Sequence, residues 1–121
     1  MPIYNLTQHS LTEEQKKDNI QELPAPLSKQ VRELLTFIAP PTLADVQQRA
    51  EQLAELAVAA GAEGAMLGGA PFLMAQLTQS LKQRGVRTYF SFSLRRSKEI
   101  HQPDGRVEKH SVFSYEGLVE V

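Results

Sequence analysis

The sequence contains no cysteine and no tryptophan, and only 7% of it is aromatic. Without cysteine there are no disulfides, no thiolate nucleophile and no Cys-ligated zinc or iron–sulfur centre. No apolar run approaches the ~18 residues that a membrane-spanning helix needs. The opening decapeptide Met1–Ser10 is polar, so no signal peptide is expected and a cytoplasmic location follows. Charge of one sign is also missing. Against 13 basic residues stand 14 acidic ones, a net charge of −1, so nothing global points to nucleic acid or to an anionic membrane. Neither G-x-G-x-x-G nor G-x-x-x-x-G-K-[ST] occurs, so both standard nucleotide fingerprints are absent. No internal repeat or low-complexity tract is visible either. What remains is one domain, residues 1–121, which buries roughly two-thirds of its unfolded surface on folding, enough for a core without staples.

The patterning then gives elements. Ile3–Leu6 reads as a short strand. Thr12 and Gln15 have capping-box spacing and open a short polar surface helix that reaches toward Asn19. Pro26 suits a first helical turn, and Leu27, Val31, Leu34, Leu35 and Ile38 form one apolar stripe behind it, stopped by Pro40-Pro41. Thr42 caps the next helix, with Asp45 near its positive end and Val46, Ala50, Leu53 and Ala57 on one face up to Gly61. Ala65-Met66-Leu67, bounded by glycines, predicts a central strand buried on both faces. Pro71 opens a helix carrying Leu73, Met74, Leu77 and Leu81 inward, and Gly85 ends it. Val86–Leu94 alternates, with Phe90, Phe92 and Leu94 on the better-buried face. Pro103-Asp104-Gly105 predicts a hairpin turn within about 95–115. A three-residue loop sets Glu99 opposite Lys109 and Lys98 opposite His110; this register is preferred. A two-residue Asp-Gly turn would instead gather His101, His110, Glu99 and Glu108 on one face, where a metal reading competes with simple charge pairing. Gly117–Val121 reads as a last edge strand. Alternating strands and helices imply an α/β fold: a three-layer, Rossmann-like, mostly parallel sheet with a C-terminal antiparallel hairpin.

Such sheets bind ligands beyond the carboxyl ends of their strands. That rim gathers Asn5, Thr7 and His9 from the first strand, Gly68-Gly69-Ala70 from the second, and Ser93, Arg95 and Arg96 from the third. The glycines remove Cβ atoms and let an anion approach amides at a helix N-terminus, while a guanidinium grips the same anion. Asn5, Thr7 and Ser93 supply polar recognition. His9 is the candidate general acid or base, because imidazole as a side-chain type suits that role, with Ser93 as nucleophile or orienter; the structural alternative is a histidine that only helps to hold its turn.

Four segments resemble a family of small uncharacterised bacterial and prophage-borne proteins: Asn5-Leu6-Thr7-Gln8-His9, Gly68 to Met74, Phe92-Ser93 through Ser97, and Gln102-Pro103-Asp104-Gly105 with Ser111-Val112-Phe113. At the level of layout the chain is similar to CRISPR-associated Rossmann-like (CARF) domains and the ring nucleases related to them. That likeness implies cyclic oligoadenylate bound by strand-end loops across a dimer, with Gly68, Gly69, Ser93 and Arg95 or Arg96 as the corresponding positions. The expectation is a homodimer that binds a phosphate-bearing small molecule or nucleotide at the strand ends and cleaves a phosphodiester if it is an enzyme. No cofactor and no metal ion are called for. The alternative is a non-catalytic protein that docks a partner through the hairpin or the edge strand.

Overall fold

The computed structural model describes residues 2–121. In chain order the elements are β1 (Ile3–Leu6), α1 (Glu13–Lys16), β2 (Ile20–Gln21), α2 (Ala25–Leu35), α3 (Leu43–Ala59), β3 (Gly64–Leu67), α4 (Pro71–Gln83), β4 (Arg87–His101) and β5 (Val107–Glu120). Helices start where the chain supplies its own caps. Thr12 and Gln15 exchange side chain-to-amide hydrogen bonds ahead of α1, and Thr42 and Asp45 do the same ahead of α3. The Thr42 amide, helped by its hydroxyl, holds the Asp45 carboxyl below the usual carboxylate range. Helices α2 and α4 carry a proline in their first turn instead.

The strands form one five-stranded sheet in the order β2-β1-β3-β4-β5. Neighbours run parallel except for the antiparallel β4–β5 pair, so the α/β class with a mostly parallel sheet holds. All four residues of β3 are buried, as its bounded apolar run predicts. Alternation sends Leu6, Ala65 and Leu67 toward α2, α3 and α4, whose Leu35, Leu53, Leu73, Leu77 and Leu81 complete the main core. Met66 points the other way, into a small cluster with Leu11 and Ile20 that Ile3 and Leu118 flank. That second face is covered by the segment 7–19, in which α1 is four residues long. One face therefore has a full helical layer and the other a strap.

Two local features depart from the sequence reading. Ile38, the last member of the apolar stripe, is 99% exposed, because α2 stops at Leu35 and Thr36 is already extended. The two-residue strand β2 has no signal of its own in the sequence. Asn19 adopts a left-handed φ of 61°, which turns the chain so that Ile20 pairs with Ile3. Among the described residues no helix is long and apolar enough to cross a membrane.

The C-terminal hairpin is longer than its turn signal suggested and runs from Arg87 to Glu120. Gly117 does not begin a separate strand. Phe92 faces Gly117 and Ser93 faces Tyr115, so Glu116 is the extra residue of a bulge and β5 continues through it. At the tip the Gln102 amide donates to the Arg106 carbonyl (2.8 Å), and Gly105 takes a φ of +87°, which makes the three-residue loop. Lys98 accordingly pairs with His110 and Glu99 with Lys109. This register puts His101 and His110 on opposite faces of the ribbon, each beside a glutamate of its own strand, and no metal-holding group forms among the described residues. Past Phe90 the two strands leave the helical layer and project as an arm. Phe92 and Leu94 are read as core by alternation, yet they stay 49% and 41% exposed for that reason.

One long-range contact ties the arm to the strap: the Tyr115 hydroxyl donates to the Asp18 carboxylate at 2.7 Å. Burial first, then this carboxylate, pushes the phenol well above its ordinary value of 10. The unfolded chain therefore ionises this tyrosine before the folded one does. The stabilisation is whole below pH 10 and is lost as pH rises beyond it. Tyr115→Phe should flatten the alkaline decline of unfolding free energy relative to the wild type. Equal alkaline slopes in urea titrations of both proteins would show that the contact contributes nothing.

Candidate functional site

A cavity of about 220 Å³ opens at the carboxyl edge of the parallel strands, on the strap side of the sheet. It is lined by Thr7, Gln8, His9 and Ser10 after β1, by Met66 to Gly69 at the end of β3, by Ser91 of β4 and by Gln15 of α1. Its walls exist because two short stretches cannot continue as regular structure. After Leu6 the chain bends into a loop that polar side chains hold. After Leu67 two glycines lead to Pro71, where α4 starts without any side-chain cap. A Cβ on Gly68 would come within 3.1 Å of the Thr7 side chain, so the two strand ends pass closely there. A Cβ on Gly69 would lie 3.2 Å from the Met74 methyl, and its φ of +156° favours glycine.

Asn5 organises the first wall. It is 94% buried (6% exposed). Its amide nitrogen donates to the His9 carbonyl and to the Glu22 carboxylate, both at 2.7 Å. Its amide oxygen accepts from the Thr7 amide (2.9 Å) and from the Thr7 hydroxyl (2.7 Å). Glu22 also accepts from the Leu11 amide at 3.2 Å. Residues 5, 7, 9, 11 and 22 thus form one network in which both the amide and the hydroxyl read as ligand-recognising are engaged by the protein itself. The side chain of Gln15 reaches across the floor to the Met66 sulfur at 3.9 Å.

The structure brings Thr7, His9, Gly68 and Gly69 to one cavity and leaves Ala70 just behind it as the N-cap of α4. It does not bring Ser93, Arg95 or Arg96 there. Ser93 shares a face with Ser91 but lies one alternation further out, paired with Tyr115. The Arg95 guanidinium sits over the Phe113 ring, 5.2 Å from its centroid. Arg96 pairs with Glu116 at the bulge. Both arginines belong to the arm, because β4 runs on past the sheet. Two participants escaped sequence reasoning. Gln15 carried only the capping-box signal, and Glu22 stands in a stretch with no periodicity to place it.

Sheet, strap and cavity define a small mixed α/β domain with a strand-end cavity to which polar side chains contribute and a projecting two-stranded arm. The chain belongs to the Uncharacterized protein MJ1673 family, whose model matches residues 1–119. Comparison with curated proteins and with solved structures gives no match.

Proposed function

We propose that the domain binds a small phosphate-bearing molecule in the cavity between the Thr7–Ser10 loop and the Gly68-Gly69 turn. The observation that supports this reading is the coincidence of a cavity bearing Thr7, Gln8, His9 and Ser10, two glycines and an uncapped helix start at the carboxyl edge of parallel strands. Amides there carry partial positive charge and favour an anion. The Rossmann-like reading of the sheet and the CARF-like layout belong to the same proposal, since both place ligands at strand ends. At about 220 Å³ the cavity suits a phosphate or a ribose-phosphate fragment, with the rest of a nucleotide outside. Binding is favoured over phosphodiester cleavage. His9 lines the cavity, but Ser93 and both arginines stand away from it.

A panel of inorganic phosphate, pyrophosphate and linear and cyclic nucleotides tests the proposal by thermal shift. A ligand at a hundred times its Kd adds about 2.7 kcal/mol, which raises Tm by roughly 5–10 °C in a domain of this size. Ser91→Glu sets a carboxylate at the cavity wall and should abolish the shift while leaving the unliganded Tm nearly unchanged. A flat wild-type response across the panel, or a shift indifferent to Ser91→Glu, would discard the site.

A second reading rests on the arm, whose half-exposed Phe92, Leu94 and Val112 suit docking to a partner.

A further inference from the structure

Between Leu11 and Ile20, both buried, every residue except Gln15 is exposed. Leu11 and Ile20 meet in one cluster with Met66, so the ends of the segment 12–19 lie close together, as in a compact Ω-type loop. The interior of this loop holds itself. Thr12 and Gln15 close the capping box, and Glu13 pairs with Lys16. Among the described residues, two side-chain hydrogen bonds tie the loop to the rest of the chain. The Gln15 amide nitrogen donates to the Met66 sulfur at 3.9 Å, and the Asp18 carboxylate accepts from the Tyr115 hydroxyl at 2.7 Å. A loop that buries no apolar side chain and hangs on two polar contacts opens at a cost far below that of global unfolding.

The strand-end cavity lies against this loop. Gln15 is one of its wall residues, and so is Met66, which is only 3% exposed although it faces the strap and not the helices. The Gln15 oxygen accepts from the Thr12 amide at 3.0 Å, which holds the side chain and leaves its nitrogen toward the cavity, with one N–H beyond the bond to sulfur. The two ties differ in strength. A thioether is a weak acceptor, whereas the hydroxyl–carboxylate bond is charge-assisted, so Asp18 and Tyr115 decide whether the loop stays down. The bulge in β5 makes that bond. It sets Tyr115 opposite Ser93 on the strap face; in unbroken register Glu116 would stand there, and two carboxylates would meet.

We propose that residues 12–19 are a lid over the strand-end cavity, latched by Asp18 to Tyr115 of the arm, and that Gln15 gives its amide nitrogen to the anion bound beneath. The role of Gln15 rests on the phosphate-binding reading of the cavity; the lid and its latch do not. Release of the latch lifts α1 and uncovers Met66 together with the cavity. Closing returns Gln15 to the wall, where its second N–H meets an anion held at the Gly68-Gly69 turn. Because the latch stands on the arm, cavity and arm are joined through one hydrogen bond.

Met66 reports the opening without a label, because hydrogen peroxide must reach its sulfur to form the sulfoxide. Met74, 7% exposed in the main core, is the internal control for general loosening. Peptide mass spectrometry after timed exposure of the full chain reads both. Tyr115→Phe and Asp18→Ala should each speed Met66 oxidation on the order of tenfold with Met74 unchanged, and the double variant no further than either alone. Unchanged Met66 rates, additive effects or a parallel acceleration of Met74 overturn the lid. Pyrophosphate should slow Met66 oxidation in the wild type. Gln15→Glu keeps an acceptor for the Thr12 amide but replaces the N–H donor with a carboxylate, so it should cancel that protection. Protection that survives Gln15→Glu overturns the role of Gln15 at the anion. Pyrophosphate that moves neither the Met66 rate nor the Tm of the wild type overturns the phosphate reading and that role with it, while the latch variants still decide the lid.

Discussion

Asn5→Ala is expected to lower the unfolding free energy by about 2–4 kcal/mol and to remove the ligand-induced thermal shift with it. Four hydrogen bonds end on this one side chain, all between 2.7 and 2.9 Å. Alanine leaves the Thr7 amide without its acceptor, at a cost of about 1–3 kcal/mol, and removes the donor that the Glu22 carboxylate and the His9 carbonyl share; the Thr7 hydroxyl, 3.1 Å from the His9 carbonyl, still serves that carbonyl. Asn5→Asp makes a sharper test. It keeps the acceptor for Thr7 but places a carboxylate where the amide nitrogen met Glu22 Oε1 at 2.7 Å. Two carboxylates at that distance share a proton, so the introduced acid has a folded pKa above its unfolded one. Its contribution is present at acid pH and lost as pH rises, so this variant should gain stability relative to the wild type as pH falls toward the carboxylate range. Urea unfolding at several pH values reads both effects. A cost for Asn5→Ala below about 1 kcal/mol would mean that the loop holds itself and that Asn5 is free for a ligand.

The network also shows what the sequence could and could not reveal. Elements defined by local chemistry were legible. Thr12 with Gln15, Thr42 with Asp45, the proline-led helices and the glycine-bounded strand at Ala65–Leu67 all stand where their residues put them. The three-residue hairpin loop was legible too, because proline and glycine fix its backbone. What failed depended on where a layer ends. Ile38 follows the helical period but lies beyond the helix, and Phe92 and Leu94 follow the strand period but lie beyond the helices that would bury them. Period identifies a face, not its cover. The arginines failed for the same reason. A strand-end position for Arg95 and Arg96 assumed that β4 stops with its neighbours, whereas it runs to His101 against a partner of almost equal length. In the cavity the residue types were visible and their engagements were not. Asn5 and Thr7 are polar rim residues in sequence, and only the fold reveals that each satisfies the other.

Gly64→Val should cost about 3 kcal/mol or more, the largest effect expected of any single exchange among the glycines. A Cβ at Gly64 would lie 2.8 Å from Tyr89 Cε2 and 3.2 Å from Ile3 Cγ1, while added Cβ atoms at Gly61, Gly85 and Gly105 meet nothing within 4 Å. The reason is the asymmetry of the sheet. Toward the helices, β3 is packed by Leu53, Leu73 and Leu77 from outside the sheet plane. On the strap side, the ring of Tyr89 leans back over β3 from its neighbour β4 and fills the space above Gly64. A valine would have to displace an aromatic ring and the Ile3 side chain together, beside the buried Met66 and Ile20. The cost belongs to the ring and not to the backbone, since Gly64 has no positive φ. In a Tyr89→Ala background the same exchange should then be cheaper by about 1–2 kcal/mol, a coupling that a double-mutant cycle in urea measures directly. Equal costs in both backgrounds would place the strain on Ile3 or on the strand itself. The thin face of the sheet would then be closed by β1 and not by Tyr89.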